Sequence, residues 1–213
     1  MIYERPSPDD PVRQGDIFRN VPRIDVSLGK VLAFDEQEGA FEARWVDLVD
    51  RSRSQPIQAA VRIMPVQGIV ITQDCDALRS RDISLCEIRP FREVYPHIAD
   101  MKDTPRRWIG VITQHARANY GWFYLPKDPN IGFTKRMGTE FGTVLRVARK
   151  DLESMRTEHR VARLNQDAVA HFRERLSDFF RRYPYNEWYP LTKEEFETYK
   201  TEKGPVEPYP WQK

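Results

Sequence analysis

The sequence contains little cysteine and no long hydrophobic run. Only two of its 213 residues are cysteine, which excludes a disulfide framework and favours a reducing compartment. No apolar run approaches the roughly 20 residues that cross a bilayer. The first residues, MIYERPSPDDP, lack the apolar core of a signal peptide. A cytoplasmic protein without membrane contact is therefore expected.

An excess of charge of one sign is also missing, because the formal net charge is only +2. The near balance gives no general electrostatic reason to expect nucleic-acid binding, which would need a local basic patch. None of the four histidines has ligand spacing with another, so no metal site and no cofactor is expected. Hydrophobic residues at 40% and charged residues at 31% indicate a globular fold.

The pattern along the chain predicts a strand-rich body followed by helices. Residues 1–13 are rich in proline and form an extended arm. Helical spacing of Ala168, Phe172, Leu176 and Phe179, with Asn165 as the cap, predicts a helix, and residues 192–195 match a capping box for a second one. Strands are expected over residues 15–18, 28–34, 41–49, 59–64, 68–72, 83–88, 108–113, 121–125 and 143–147, the second and third forming a hairpin.

The stretch VQGIVITQDCD (residues 66–76) places reactive groups at the end of a buried strand. Thr72, Asp74 and Asp76 follow the apolar run directly, as in a strand that ends at a catalytic cleft. The alternative is that both aspartates bond to backbone amides of the following turn. Cys75 could pair with Cys86 of the next strand, although two unrelated small core residues fit the pattern better.

Five short segments follow one another along the chain: Gln14-Gly15-Asp16-Ile17, Gly68–Thr72, Leu85–Arg89, Thr143-Val144-Leu145 and Arg163-Leu164. This ordered series resembles the MazF/PemK family of toxin–antitoxin systems. The resemblance implies an α+β, mainly β fold, an SH3-like small barrel over residues 14–182 with an inserted β-hairpin and C-terminal helices. Residues 183–213 would then be an extension of the barrel.

The resemblance also implies metal-independent RNA cleavage, but the usual catalytic pair is not matched. Active members carry an arginine before the apolar strand and a Thr or Ser at the end of the next one. This chain has Val66 or Gln67 at the first place and Arg89 near the second. A rearranged site would use Asp74 or Asp76 as general base beside Thr72, with Arg89 as the phosphate clamp.

Two further sets of residues are candidates for binding. Basic and aromatic residues of the middle third could form a single-strand RNA groove, or the arginines could simply coat the surface and pair with acids. Tail aromatics could dock a partner or pack back onto the barrel. The groove candidates are Arg79, Arg81, Arg92, Arg107, Arg117 and Trp122, and the tail candidates are Tyr185, Trp188, Tyr189 and Trp211.

Two functions are therefore expected as alternatives. The first is a non-catalytic module of a toxin–antitoxin or anti-phage defence system that binds single-stranded RNA or a regulatory, antitoxin-like protein. The second is an endoribonuclease toxin with a rearranged active site. Because members of the family pair through the barrel, a homodimer is a further expectation in either case.

Overall fold

In the computed structural model of the protein, residues 2–35, 39–52, 55–117 and 121–181 are described, with the backbone alone for residues 113–117. The strands in these ranges are β1 (Tyr3–Glu4), β2 (Asp16–Asp25), β3 (Val31–Asp35), β4 (Gly39–Ala43), β5 (Gln58–Ala60), β6 (Arg62–Val70), β7 (Asp82–Pro90), β8 (Trp122–Leu125), β9 (Met137–Ala148) and β10 (Arg160–Leu164). The α-helices are α1 (Trp45–Ser52), α2 (Asp74–Ala77), α3 (Phe91–Val94), α4 (Pro105–Arg117), α5 (Arg149–His159) and α6 (Gln166–Phe180).

Seven strands form one curled antiparallel sheet, a half-barrel with the order β1-β10-β2-β6-β7-β9-β8. The predicted class, α+β and mainly β, is confirmed. A separate sheet with the order β4-β3-β5 is inserted between β2 and β6. It contains the predicted hairpin, with Val31 paired to Ala43 and Asp35 paired to Gly39.

The central pair of strands is buried on both faces, as its unbroken apolar run predicts. Ile69 pairs with Cys86 and points into one cluster, whereas Val70 pairs with Leu85 and points into the other. All four side chains are fully buried. Successive residues of a strand face opposite sides of the sheet. A run without polar interruptions therefore fits a strand whose sheet is packed against other elements on both faces.

Helices α6 and α5 cover these two faces. The predicted α6 is confirmed, and its cap is Asn165, whose side chain accepts a hydrogen bond from the amide of Ala168 at 2.9 Å. Phe172 of α6 is fully buried in the first cluster, and Leu152 of α5 is fully buried in the second.

The N-terminal arm is fastened to the sheet. Its strand β1 pairs with β10, and the hydroxyl of Tyr3 donates to the carbonyl of Pro126 at 2.9 Å. Gly15 has a φ of +87°, and a Cβ there would lie 3.1 Å from Val169. Glycine therefore makes both the turn and the close packing at the entry to β2.

Two segments that the sequence predicts as strands are helical. Residues 108–113 lie in α4, where Trp108 and the partly buried Val111 face an aromatic cluster around Phe91. Residues 46–49 lie in α1, whose Leu48 is buried against the inserted sheet. In both cases burial at helical spacing overrides the strand propensity of β-branched residues.

Three other expectations are corrected in detail. Residues 59–64 form parts of two strands in different sheets, β5 and β6. Strand β9 lies between β7 and β8, so residues 143–147 do not close the sheet. Helix α5 and strand β10 have no counterpart in the prediction, and Arg163 and Leu164 end that strand.

The described helices include none that combines the length and the apolar character needed to cross a membrane.

Candidate functional site

Strand β6 ends at the rim of a cavity of about 850 Å³, which we call the strand-exit pocket. The predicted cleft at the end of VQGIVITQDCD therefore exists. Its walls combine the strand end with α6, including the apolar side chains Leu176 and Phe180. The polar lining comes from Gln14, Thr72, Gln73, Asp74, Cys75, Ser84, Arg173, Ser177 and Arg181.

Asp74 joins three distant parts of the chain at this pocket. One carboxylate oxygen accepts the backbone amide of Gln14 at 2.9 Å, and the other accepts from Arg173 of α6 at 2.5 Å. The Gln14 side chain accepts from Arg173 at 2.7 Å and donates to the carbonyl of Ile71 at 2.8 Å. The carboxylate is thus held in a structural network, and its amide partner lies 60 residues away rather than in the following turn.

The other candidate groups of the stretch also have structural partners. The hydroxyl of Thr72 accepts the amide of Ser84 at 2.8 Å, across the hairpin of β6 and β7. Asp76 forms an ion pair with Arg79 at 2.8 Å, one turn later and largely in solvent. A general base needs a free acceptor aimed at the substrate. The Thr72 oxygen is engaged by the Ser84 amide, and Asp76 binds Arg79 through its Oδ1 and is not part of the lining of the strand-exit pocket.

Arg89 does not lie beside these aspartates. Val70, at the strand exit, pairs with Leu85 of β7, and Arg89 is four residues further along that strand, about 13 Å away at the usual rise. Its guanidinium binds the carboxylate of Glu140 at 2.9 Å. The structure therefore does not bring the proposed base and the proposed phosphate clamp together.

The two cysteines are free, and they lie in different environments. Cys75 is exposed on α2, whereas Cys86 is buried opposite Ile69. Burial raises the pKa of the Cys86 thiol to about 12, so this thiol stays protonated. In this structure no disulfide joins the two residues, which is the interpretation that the spacing favoured.

The predicted groove residues do not share one rim. Arg79 is paired with Asp76, and Arg81 lies in the hairpin near it. Arg92 donates to the carbonyls of Ile98 and Met101, at 3.2 and 2.6 Å, and so closes a turn after α3.

The aromatic residues expected beside those arginines are mostly in the interior. Trp122 is 5% exposed and Trp108 is 4% exposed, and both pack around Phe91. Arg107 is exposed on α4, and the side chain of Arg117 lies outside the described part. The tail candidates, Tyr185, Trp188, Tyr189 and Trp211, lie outside the described residues as well.

A second cavity, of about 540 Å³, contains a set of basic residues that the sequence did not single out. We call it the arginine cleft, after Arg5, Arg19, Arg156 and Arg160 in its lining. Glu158 is the one acidic residue of that lining, and its side chain is 84% exposed. Arg156 is paired with Glu153 at 2.7 Å and Arg160 with Asp16 at 3.2 Å, so the positive potential of the cleft comes from Arg5 and Arg19.

Strand pairing and arginine hydrogen bonds build this cleft. Arg160 of β10 donates to the carbonyl of Ser7 at 2.6 Å, and Arg156 of α5 donates to that of Pro8 at 2.9 Å. These bonds hold the arm in place and so position Arg5 beside Arg19 of β2. The pairing of β10 with both β1 and β2 brings the three segments together.

Two of the four arginines are available to a ligand. Arg5 and Arg19 make no ion pair with any residue in the described ranges, although Arg19 donates to the carbonyl of Glu158 at 3.0 Å. Arg160, by contrast, is 2% exposed and paired with Asp16 at 3.2 Å. Arginine presents several donors in a planar fork that suits phosphate oxygens.

Sequence reasoning missed the arginine cleft because it missed β10. Arg5 and Arg19 are neighbours only when β10 lies between the arm and β2. The arm itself carried no signal beyond its prolines. Among the described residues, no group of three His, Cys, Asp or Glu side chains could hold a metal ion.

A scan against protein-family models gives no match for this chain. A search of curated proteins likewise finds no significant similarity.

Proposed function

We propose that this chain is a MazF/PemK-like, SH3-like small barrel that binds single-stranded RNA without cleaving it. It would act in the cytoplasm as a regulatory or defence module. The observation that carries the proposal is the arginine cleft, in which Arg5 and Arg19 line a cavity and pair with no carboxylate of the described ranges. Unpaired arginines in a concave site are suited to bind the phosphates of a nucleic-acid backbone.

The position of the cleft on the sheet agrees with this proposal. Gln67 of β6 lies in its lining, and this is one of the two residues that align with the catalytic arginine of the family. An amide at that position can hydrogen-bond a phosphate or a base but supplies no charge. The cleft would keep the RNA-binding place of the family while its cations come from Arg5 and Arg19.

The absence of cleavage is supported by the candidate catalytic groups. Asp74 and Thr72 are engaged in hydrogen bonds that hold the fold together. Arg89 is paired with Glu140. It lies near the end of β7, away from the strand exit where Asp74 is found. An RNase that works without metal needs a base and a phosphate-stabilising group on the same bond, and these residues do not provide such a pair.

The test is the binding of a labelled single-stranded RNA of mixed sequence, measured by fluorescence anisotropy with EDTA present. The double variant Arg5→Ala/Arg19→Ala is expected to bind about 10- to 100-fold more weakly, because hydrogen bonds to charged groups contribute about 1.5–3 kcal/mol each when desolvated and less in an open cleft. It should also lower the slope of log K against log salt by about 1.4.

The control is Arg79→Ala, which removes an arginine that is already paired with Asp76. Its RNA affinity should stay within about twofold of the unmodified protein. Equal affinity of the double variant and the control would contradict the proposal. Cleavage of the RNA in EDTA by the unmodified protein would support the endoribonuclease alternative instead.

A second candidate function is self-association, which is favoured by the exposed apolar side chains of the insertion. We define the insertion as residues 26–61 together with the strand positions that flank it. Ten of the fifteen large hydrophobic side chains that are exposed in the described part lie between Ile24 and Ile63. Apolar patches of this kind mark protein interfaces. They surround a cavity of about 970 Å³ that is lined by Val26, Leu28, Leu32, Trp45 and Val61 among others.

The occupant that fits this groove is a second copy of the chain. Its rim carries charges of both signs, Asp25 and Glu42 beside Lys30 and Arg62. An isologous interface places the same patch on itself, so a rim of mixed charge is self-complementary. Strands β4 and β5 are also free edges of the inserted sheet, which can pair with another chain.

Light scattering after size-exclusion chromatography tests this surface. The unmodified protein should show twice the 25.2 kDa mass of the chain. Leu32→Glu, which places a charge in the groove, should show the mass of one chain, because a buried unpaired carboxylate is costly. Ile109→Glu, on the exposed face of α4, is the matched control and should stay dimeric. A monomeric unmodified protein would refute the idea.

A further inference from the structure

A second basic cavity lies at the base of the loop that follows β8. It measures about 470 Å³, and we call it the lysine cleft, after Lys127 and Lys135 in its lining. The isolated bridge between Asp128 and Phe133 folds the loop back on itself. This bridge places the two lysines on the same side of the loop, facing α3 and the start of α4.

The lysines are the available cations of this cavity. Neither Lys127 nor Lys135 makes an ion pair with a residue in the described part of the chain. Arg136 lies over the ring of Trp108, 4.4 Å from its centroid, and 3.5 Å from the carboxylate of Asp103. Cation–π contact and this weak pair hold Arg136 at the wall. Glu93 and Asp103 also line the cavity and offset the charges of Arg92 and Arg136, so the two lysines supply its net positive charge.

Helix α4 adds to the positive potential on that side. It begins at Pro105 with Arg106 and Arg107 in its first turn and has no acidic residue there. Helix N-termini favour negative charge because the peptide dipoles point their positive ends outward. Arg106 and Arg107 line a separate cavity with Met101, Gly110 and Val111, so they raise the potential around the lysine cleft without forming part of it.

The lysine cleft and the arginine cleft share one loop. Residues 130–132 at its tip line the arginine cleft, and residues 134–136 at its base line the lysine cleft. Gly132 and Lys135 are three residues apart, which is at most about 10 Å of chain. A single strand of a few nucleotides could therefore contact both cavities, within the range of about 4–16 nucleotides that single-strand-binding folds cover.

We infer that the lysine cleft is a second phosphate-binding site, which holds the continuation of the RNA strand bound in the arginine cleft. This inference rests on the proposed function. It assigns Lys127 and Lys135 as the residues that set the length of the bound strand. The predicted groove residue Arg107 lines a separate cavity on α4 and would contribute only at longer range. Arg92 lines the lysine cleft, but its guanidinium donates to carbonyls of the turn after α3.

Two oligouridylates separate the roles of the two clefts, one of about 4 and one of about 12 nucleotides. The variant Lys127→Ala/Lys135→Ala should bind the longer strand about tenfold more weakly and lower its salt slope by about 1.4. Its affinity for the shorter strand should be unchanged. Arg5→Ala/Arg19→Ala should weaken the binding of both strands.

The matched control is Arg81→Ala/Lys150→Ala, which removes the same charge from two exposed residues outside both clefts. It should bind both strands within about twofold of the unmodified protein. Wild-type affinity of Lys127→Ala/Lys135→Ala for the longer strand, while the arginine variant fails, would overturn the inference alone. Failure of the unmodified protein to bind either strand would overturn the proposed function as well.

Discussion

Replacing Asp16 by alanine is expected to lower the free energy of unfolding by about 3–5 kcal/mol. Its side chain is fully buried at the start of β2. The carboxylate accepts from Arg163 at 2.5 Å, from Arg160 at 3.2 Å and from the amide of Arg13 at 2.9 Å. Alanine would remove the counter-charge of the buried Arg160 and leave Arg163 only the longer contact with Asp10 at 3.6 Å. The desolvation of both guanidinium groups would then no longer be offset.

Urea denaturation followed by circular dichroism measures this loss. Asp76→Ala is the control, because its ion pair with Arg79 is largely exposed and should contribute less than about 1 kcal/mol. Asp16→Asn keeps the shape of the side chain and should fall between alanine and the unmodified protein. Equal denaturation midpoints for Asp16→Ala and Asp76→Ala would contradict this account of the buried cluster.

The Asp16 cluster links the fold to the proposed site. Arg160 and Arg163 also donate to carbonyls of the arm, at Ser7 and Pro11. Loss of Asp16 would therefore release the segment that positions Arg5. The Gly-Asp-Ile opening, which carried the resemblance to MazF/PemK toxins, has a structural role here: Gly15 makes the turn and Asp16 neutralises the arginines of β10.

The parts of the fold that local pattern decides were predictable. Strand β6 ends in an unbroken apolar run at Ile69 and Val70, and α6 has both apolar spacing and a cap. Residues 108–113 were assigned to a strand because their side chains favour one, yet Trp108 and Val111 bury the same face of a helix. That choice depends on the aromatic cluster around Phe91, which assembles only in the folded chain.

The candidate site was predictable in place but not in chemistry. The end of VQGIVITQDCD does form a pocket, as the abrupt change from apolar to polar residues indicates. The structural role of the Asp74 carboxylate in this pocket depends on its partners Gln14 and Arg173, which lie 60 and 99 residues from Asp74 in the sequence. Such partners become visible only when the arm, the strand end and α6 are placed together.

Replacing Phe172 by alanine is the second change with a large expected effect, a loss of about 3–5 kcal/mol in the free energy of unfolding. The ring is fully buried on α6. It makes edge-on contacts with Phe123 and Phe141, at centroid distances of 5.1 and 5.7 Å. Truncation removes these contacts and leaves a cavity between the helix and the sheet, which packed side chains fill only in part.

Phe180 supplies the control on the same helix. Its ring is 59% exposed at the rim of the strand-exit pocket, so Phe180→Ala should cost less than about 1 kcal/mol. Both variants keep helix propensity comparable, because alanine replaces the same residue type in each. The difference between them therefore measures burial against the sheet. Similar losses for both would contradict the packing of α6 on the half-barrel. They would also contradict the strand-exit pocket, because one of its walls is α6.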